Sequence, residues 1–350
     1  MANKGFTARL ESFAKLGKDL DELLQATHEE NTLAEAIAQA LEQNPWFEKR
    51  WIRQALHAIA YFLKEEHLEK WSHLTPATYR NKERHSTVAL VLPGNIPAVG
   101  FADIFYVLMS GCKALLKFSA QDRALPQFLL QRLLKLNPAL WEDSFLEADL
   151  PLKNFDAILI TGSSATATHL DYYFRKYPRI VRGHRQSVAV LTGQESETDL
   201  EGLALDIVCY FGRGCRNVAY LLVPEGYEWS GLQRALEPYS ELLNHHRYGN
   251  NYDYRKAVLH LSRIPFIEAG PCLLVRSEKV HAPVSMVHYM TYRTSKEVQS
   301  FLEANRQAIQ VVVGRVPWLS GTVAPGRAQY PLPWDYADGV DVAAFLASLN

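Results

Sequence analysis

The chain reads as a mixed α/β protein built on parallel sheet. Three observations predict this. Short apolar, β-branched runs such as residues 87–92 lack the in–out alternation of a half-exposed strand, as buried parallel strands do. From Ser86 onward such runs alternate with helical segments, the pattern of β-α-β units. The first 85 residues show only helical periodicity and little glycine or proline.

In that first stretch Leu10, Phe13, Leu16, Leu20 and Leu23 recur at helical spacing. Thr32-Leu33-Ala34-Glu35 has the form of a capping box ahead of a second helix. Pro45 is expected to start a third, carrying Trp51, Leu56, Ile59, Phe62 and Leu63. The aromatic stripe is expected in a core. Residues 87–92 then form a strand, Pro93-Gly94-Asn95-Ile96-Pro97 a turn, and residues 104–109 a helix ended by Gly111. A second strand covers residues 114–118, a long helix residues 126–136, and a third strand residues 157–160. The third strand runs into Thr161-Gly162-Ser163-Ser164. A helix opening on Gly and Ser offers free N–H groups to a phosphate, although an ordinary βα turn has the same look. The usual dinucleotide and Walker fingerprints are absent.

The centre of interest is Phe211-Gly212-Arg213-Gly214-Cys215-Arg216-Asn217, between a helical run ending near Tyr210 and a strand at residues 218–223. Two arginines flank the cysteine and two glycines open the backbone, which favours a reactive thiolate. A packed, inert cysteine in a helix-to-strand turn is the competing reading. Further on, residues 234–243 read as a helix and His245-His246 as a polar loop. Residues 272–275, 287–290 and 309–314 read as strands, the last preceded by a helix at 296–304. Asp335, Asp338 and Asp341 lack the spacing of a calcium loop, and Asp341 suits the cap of a closing helix.

Composition narrows the function classes. The 350 residues are 48% hydrophobic and 21% charged, with a net charge of −1. No basic surface for nucleic acid and no membrane span is expected. The four cysteines, Cys112, Cys209, Cys215 and Cys272, form no Cys-x-x-Cys pair, so neither a zinc site nor a disulfide framework is expected. The first residues lack a signal-peptide core, and a cytoplasmic location is expected.

Four of these motifs, in this order, resemble the aldehyde dehydrogenase superfamily, and within it the acyl-CoA reductase branch of LuxC-type fatty-acid reductases. Leu92-Pro93-Gly94-Asn95-Ile96-Pro97 is similar to the superfamily's Pro-Trp-Asn-Phe-Pro turn. Leu115-Leu116-Lys117-Phe118-Ser119 is similar to its Val-Leu-Lys-Pro-Ser strand end, and Thr161-Gly162-Ser163-Ser164-Ala165-Thr166 to its Thr-Gly-Ser-Thr-Ala-Thr turn. Gly212-Arg213-Gly214-Cys215 sits where the family has Gly-Gln-x-Cys. The superfamily's Glu-Leu-Gly-Gly-Lys region falls near Val181-Arg182-Gly183-His184-Arg185, without the glutamate. His184 is the nearest candidate for a replacement acid or base, with a plain loop histidine as the alternative.

The resemblance implies an aldehyde-dehydrogenase-like fold. It comprises a helical N-terminal segment (1–85), a Rossmann-type nicotinamide-cofactor domain (86–185), a catalytic cysteine domain (186–315) and a tail (316–350) returning to the cofactor domain. It implies NADPH-dependent reduction of a fatty acyl-CoA thioester to aldehyde through a Cys215 acyl-enzyme. Coenzyme A is part of the substrate. The Asn95 amide and the Cys215 N–H are the implied oxyanion donors. Pro93, Gly94, Lys117, Ser119, Gly162 and Ser163 are implied to bind the cofactor. Ser119 lacks the acidic side chain that often selects NAD at a ribose, and with Lys117 nearby NADPH is favoured, with NADH possible. The missing glutamate implies that water releases the acyl group slowly, so that CoA is the natural acyl donor and acceptor. The alternatives are an aldehyde dehydrogenase or acylphosphate reductase using the same thiol, or a non-catalytic partner subunit. An acyl-activating enzyme or a second copy of the chain is the expected protein partner.

Overall fold

The computed structural model describes residues 4–26, 30–81, 86–149, 151–162 and 164–349. These form two units. One contains residues 1–184 and 330–350, the other residues 185–329.

In the first unit the helices α1 (Lys4–Gln25), α2 (Asn31–Gln43), α3 (Lys49–Phe62), α4 (Glu65–Leu74) and α5 (Ala77–Asn81) precede the sheet. Two starts differ from the sequence reading. Thr32 lies inside α2, where its hydroxyl donates to Glu30, and no side chain caps that helix. Pro45 lies in a turn in which Asn44 Oδ1 accepts the Trp46 N–H at 3.0 Å, and α3 begins four residues later. A side chain that offers the backbone a local acceptor competes with helix at that point.

The sheet follows as β1 (Thr87–Val91), α6 (Phe101–Met109), β2 (Lys113–Lys117), α7 (Ala124–Leu136), α8 (Pro138–Trp141), β3 (Phe145–Glu147), β4 (Ala157–Thr161), α9 (Ser164–Tyr173) and β5 (Arg179–Arg182). Its order is β3-β2-β1-β4-β5, all parallel. β1 is central and buried on both faces. Val88 and Leu90 join the core that contains the N-terminal helices, while Ala89 packs with Phe155, Ile158 and Phe174 on the other side. Phe13 of α1 meets Phe105 of α6 edge-on at 4.9 Å between ring centroids, and Trp141 donates to Ser12 at 2.8 Å. The N-terminal helices therefore share a core with the sheet. Their buried aromatic side chains are packing residues.

The second unit runs β6 (Gln186–Val190), α10 (Glu197–Val208), β7 (Val218–Pro224), α11 (Ser230–Leu236), α12 (His246–Leu261), β8 (Phe266–Ala269), β9 (Cys272–Arg276), β10 (Met286–Tyr292), α13 (Ser295–Ala304) and β11 (Ile309–Val313). Its sheet order is β11-β6-β7-β10-β9-β8, parallel except for the β8–β9 hairpin. β5 and β6 lie in different sheets, with the boundary between the units falling at residues 184 and 185. The His245-His246 loop reading is also corrected. His245 caps α12 by accepting the Tyr248 N–H, and His246 opens the helix. After residue 329 the chain rejoins the first unit and ends in α14 (Val342–Ser348), capped by Asp341 Oδ1 on the Ala344 N–H at 2.9 Å.

Candidate active site

In the first unit, the predicted cofactor residues gather at one edge of the sheet. β2, β1 and β4 lie side by side and end at Lys117, Val91 and Thr161. Pro93, Gly94 and Asn95 follow β1, Ser119 follows β2, and Gly162 follows β4. Ligands of open parallel sheets bind beyond the carboxyl ends of the strands, where the strand order reverses. The turns after β1 and β2 are interlocked. The Leu92 N–H donates to Lys117 O at 3.0 Å. Gly94 lies so close to the next turn that a Cβ on it would stand 2.4 Å from Ser119 Oγ.

Two buried polar residues hold the Asn95 turn. Asn44 Nδ2 donates to Gly94 O at 2.8 Å. Asp122 Oδ2 accepts the Ala98 N–H at 2.7 Å, at a residue forced to φ 52°. The second oxygen of Asp122 is buried with no hydrogen-bond partner, and burial pushes this carboxyl up to about 8. Neither residue stands out in the sequence, because each partner is a backbone group more than twenty positions away.

The fit to a nicotinamide dinucleotide divides by residue. Lys117 brings an ammonium to the strand end, held by Phe118 O at 2.8 Å, and Ser119 adds a half-buried hydroxyl. This donor set suits a ribose or its phosphate. At the turn after β4 the Gly162 N–H already donates to Arg182 O, so that amide is spent within the protein. Ser163 lies outside the described residues. Nearby, Arg182 Nη1 grips both oxygens of Asp103 at 2.7 and 2.6 Å, and Asp103 also accepts the Thr161 hydroxyl. β5 ends on Val181 and this ion-paired Arg182. His184 is exposed.

In the second unit, Cys215 sits in the connection from α10 to β7. α10 is capped by Ser196 Oγ on the Asp199 N–H and stops at Val208. Tyr210 and Phe211 then adopt left-handed backbone, φ 52° and 59°, followed by Gly212 at φ 69°. Such conformations cost about 1–2 kcal/mol per non-glycine residue. The Phe211 ring anchors the turn by stacking near His245 at 4.4 Å and Tyr248 at 5.4 Å. Asn217 supplies the rest. Its Nδ2 donates to Cys209 O at 2.8 Å and Asp206 O at 2.9 Å, satisfying carbonyls that α10 leaves open. Its Oδ1 accepts the Gly214 N–H at 2.8 Å. Asp206 accepts the Gly326 and Ala328 N–H groups, and burial lifts it to about 7.

Of the four cysteines, all described, Cys215 alone is not fully buried. Cys272 is the contrasting case, with its thiol pushed up to about 12 by burial. Arg213 is lowered to about 10 by burial, with Arg247 adding repulsion, and remains a cation at neutral pH. Arg216 Nε donates to Ala328 O. Among the described residues there is no group of three His, Cys, Asp or Glu side chains able to hold a metal ion. None of the described helices is long and apolar enough to cross a membrane.

The sequence profile described as acyl-CoA reductase (LuxC) matches residues 10–236, a span that includes Asn95, Lys117, Gly162 and Cys215. No curated protein matches the chain. Solved structures do. The NAD-dependent aldehyde dehydrogenase of Sinorhizobium meliloti is 14% identical, with a TM-score of 0.63 over 92% of this chain and 72% of the other. The salicylaldehyde dehydrogenase of Pseudomonas putida G7 is 11% identical, with a TM-score of 0.62 over 89% and 73%. The Mycobacterium tuberculosis aldehyde dehydrogenase solved with NAD+ is 14% identical, with a TM-score of 0.59 over 85% and 71%. At these identities the likeness is one of fold.

Proposed function

The chain belongs to the acyl-CoA reductase (LuxC) family, and from that premise we propose that it reduces a fatty acyl-CoA to the aldehyde with NADPH, through an acyl group carried on Cys215. The observation that carries this reading is Cys215 itself. It is the one half-buried thiol of the chain, at a strained turn between two arginines.

The Cys215 thiolate attacks the thioester carbon. A new carbon–sulfur bond forms, the old one breaks, and CoA leaves as its thiolate and takes up a proton. The negative charge on the carbonyl oxygen during this exchange is met by two donors, the Asn95 amide and the Cys215 N–H. Loss of one such donor costs about 2.7–4 kcal/mol of transition-state stabilisation. When bound, the nicotinamide supplies a hydride to the acyl carbon. Cys215 then departs as thiolate and the aldehyde is released. Lys117 and Ser119 bind the ribose end of the cofactor, with Pro93 and Gly94 lining the same edge. Ser119, in place of the acidic side chain that often selects NAD at a ribose, and Lys117 nearby support NADPH over NADH. Val181 and the ion-paired Arg182, in place of a carboxylate base, support slow release of the acyl group to water and transfer to or from CoA. The N-terminal helical segment, the cofactor domain and the cysteine domain keep the roles the family pattern gives them. An acyl-activating enzyme that delivers the acyl group, or a second copy of the chain, is the protein partner.

Side-by-side assays test the reading. Palmitoyl-CoA, an acyl phosphate and a long-chain aldehyde are offered with NADPH or NADH, and nicotinamide absorbance is followed. Fastest turnover is expected with palmitoyl-CoA and NADPH. Faster oxidation of the aldehyde to free acid without CoA would overturn the CoA-linked reading. Binding of palmitoyl-CoA with no turnover of any substrate would favour a non-catalytic subunit.

A further inference from the structure

Asn217 is buried and touches the cysteine turn from both sides. Its backbone N–H donates to Gly214 O at 3.1 Å, and its side-chain Oδ1 accepts the Gly214 N–H at 2.8 Å. Its Nδ2 is fastened to Cys209 O and Asp206 O at the end of α10. Ser187 at the start of β6 completes the hold. Its Oγ donates to Cys215 O at 3.0 Å, and its N–H donates to Asn217 O at 3.1 Å.

These bonds fix the peptide plane on each side of Cys215. A trans peptide points its C=O and its N–H in opposite directions. Anchoring Gly214 O on the Asn217 N–H therefore sets the direction of the Cys215 N–H. Anchoring Cys215 O on Ser187 sets the next plane. The strained Tyr210 and Phe211 would otherwise leave the turn free to relax by a peptide flip.

We propose that the side chains of Asn217 and Ser187 are positioning groups: they fix the Arg213–Gly214 and Cys215–Arg216 peptides that bracket the Gly214–Cys215 peptide, and so hold the Cys215 N–H in the orientation that meets the developing oxyanion. This rests on the reading of Cys215 as the acyl carrier. Asn217 touches no reacting atom in this account and acts through the backbone of Cys215. A preset donor spends no reorganisation energy during reaction, which is why a flipped peptide is expected to cost rate while leaving the thiol in place.

The test separates two reactions of the same sulfur. Alkylation by iodoacetamide needs the thiolate but builds no oxyanion. Acylation by palmitoyl-CoA needs both. Single-turnover acylation, without nicotinamide, is followed by intact mass, and alkylation across a pH series by mass of the Cys215 peptide. In Asn217→Ala, acylation is expected to slow by about 30-fold or more, a partial loss of one oxyanion donor. Alkylation is expected to keep its pH profile and stay within about threefold of wild type, as for a thiol that is not displaced. Ser187→Ala, a smaller lesion, is expected to show the same split at about tenfold, and carries the test if Asn217→Ala does not fold. Equal loss of both rates, or loss of neither, overturns the proposal. Cys215→Ala is the control. If it acylates like wild type, the reading of the nucleophile fails, whichever way the Asn217 result falls.

Discussion

Asp122→Asn should change how stability depends on pH, by an amount that follows from burial. The carboxyl lies beneath the Asn95 turn with one oxygen on the Ala98 N–H and the other unpartnered. In the fold it stays neutral up to about 8, against an ordinary value of 3.8. Its contribution is therefore whole below pH 3.8 and is lost as pH rises through 8. At pH 7 about three pH units separate the two states. At ~1.36 kcal/mol per unit this amounts to about 4 kcal/mol, an upper bound. Asparagine keeps an acceptor for the Ala98 N–H and cannot ionise. Urea unfolding of both proteins from about pH 4 to pH 8 should give nearly equal stability at the acid end. The variant should gain up to about 4 kcal/mol on wild type by pH 7. Parallel stability curves would refute the assignment of a neutral buried acid. A variant less stable than wild type at pH 7 would show that Asp122 holds the turn as a carboxylate.

Three further substitutions probe other supports. Gly94→Ala places a Cβ 2.4 Å from Ser119 Oγ and 2.7 Å from its Cβ. It should lower stability by about 1–3 kcal/mol in thermal melts, and Ser119→Gly in the same chain, which removes the clashing atoms, should recover most of the loss. Gly202→Ala meets backbone at Gly326 N and Pro325 C, each at 2.8 Å. With no flexible side chain to yield, it should lower stability by about 1–3 kcal/mol in thermal melts. Asp103→Asn leaves the Arg182 charge buried without its counter-ion and should cost about 3–5 kcal/mol by urea unfolding. Replacing both by apolar residues of similar volume should recover most of the loss.

The fold and the residues of the proposed chemistry were legible in the sequence for local reasons. The run at 87–92 contains β1, and Gly111 ends its helix at φ 81°. Cys215 could be picked out by its arginine neighbours and flanking glycines, and the strand after it was read within a residue of β7. The supports were not legible. Asn44, Asp122 and Ser187 act on backbone 24 to 50 positions away, where no spacing rule reaches. The left-handed Tyr210 and Phe211 run against local preference, and the ring contacts of Phe211 with His245 and Tyr248 compensate them. α12 was missed because its first residues, His246 to Tyr248, are polar and aromatic, and its capping group is the His245 imidazole, which the usual cap preferences omit.

The most direct test of the central claim maps where the acyl group goes. Wild type and Cys215→Ala are mixed with palmitoyl-CoA in the absence of nicotinamide, quenched in acid, and digested for mass spectrometry. One palmitoyl thioester is expected on the Cys215 peptide of wild type, none on Cys215→Ala, and loss of the adduct once NADPH is added. An acyl group on Cys112, Cys209 or Cys272, or NADPH consumption by Cys215→Ala at the wild-type rate, would contradict that claim.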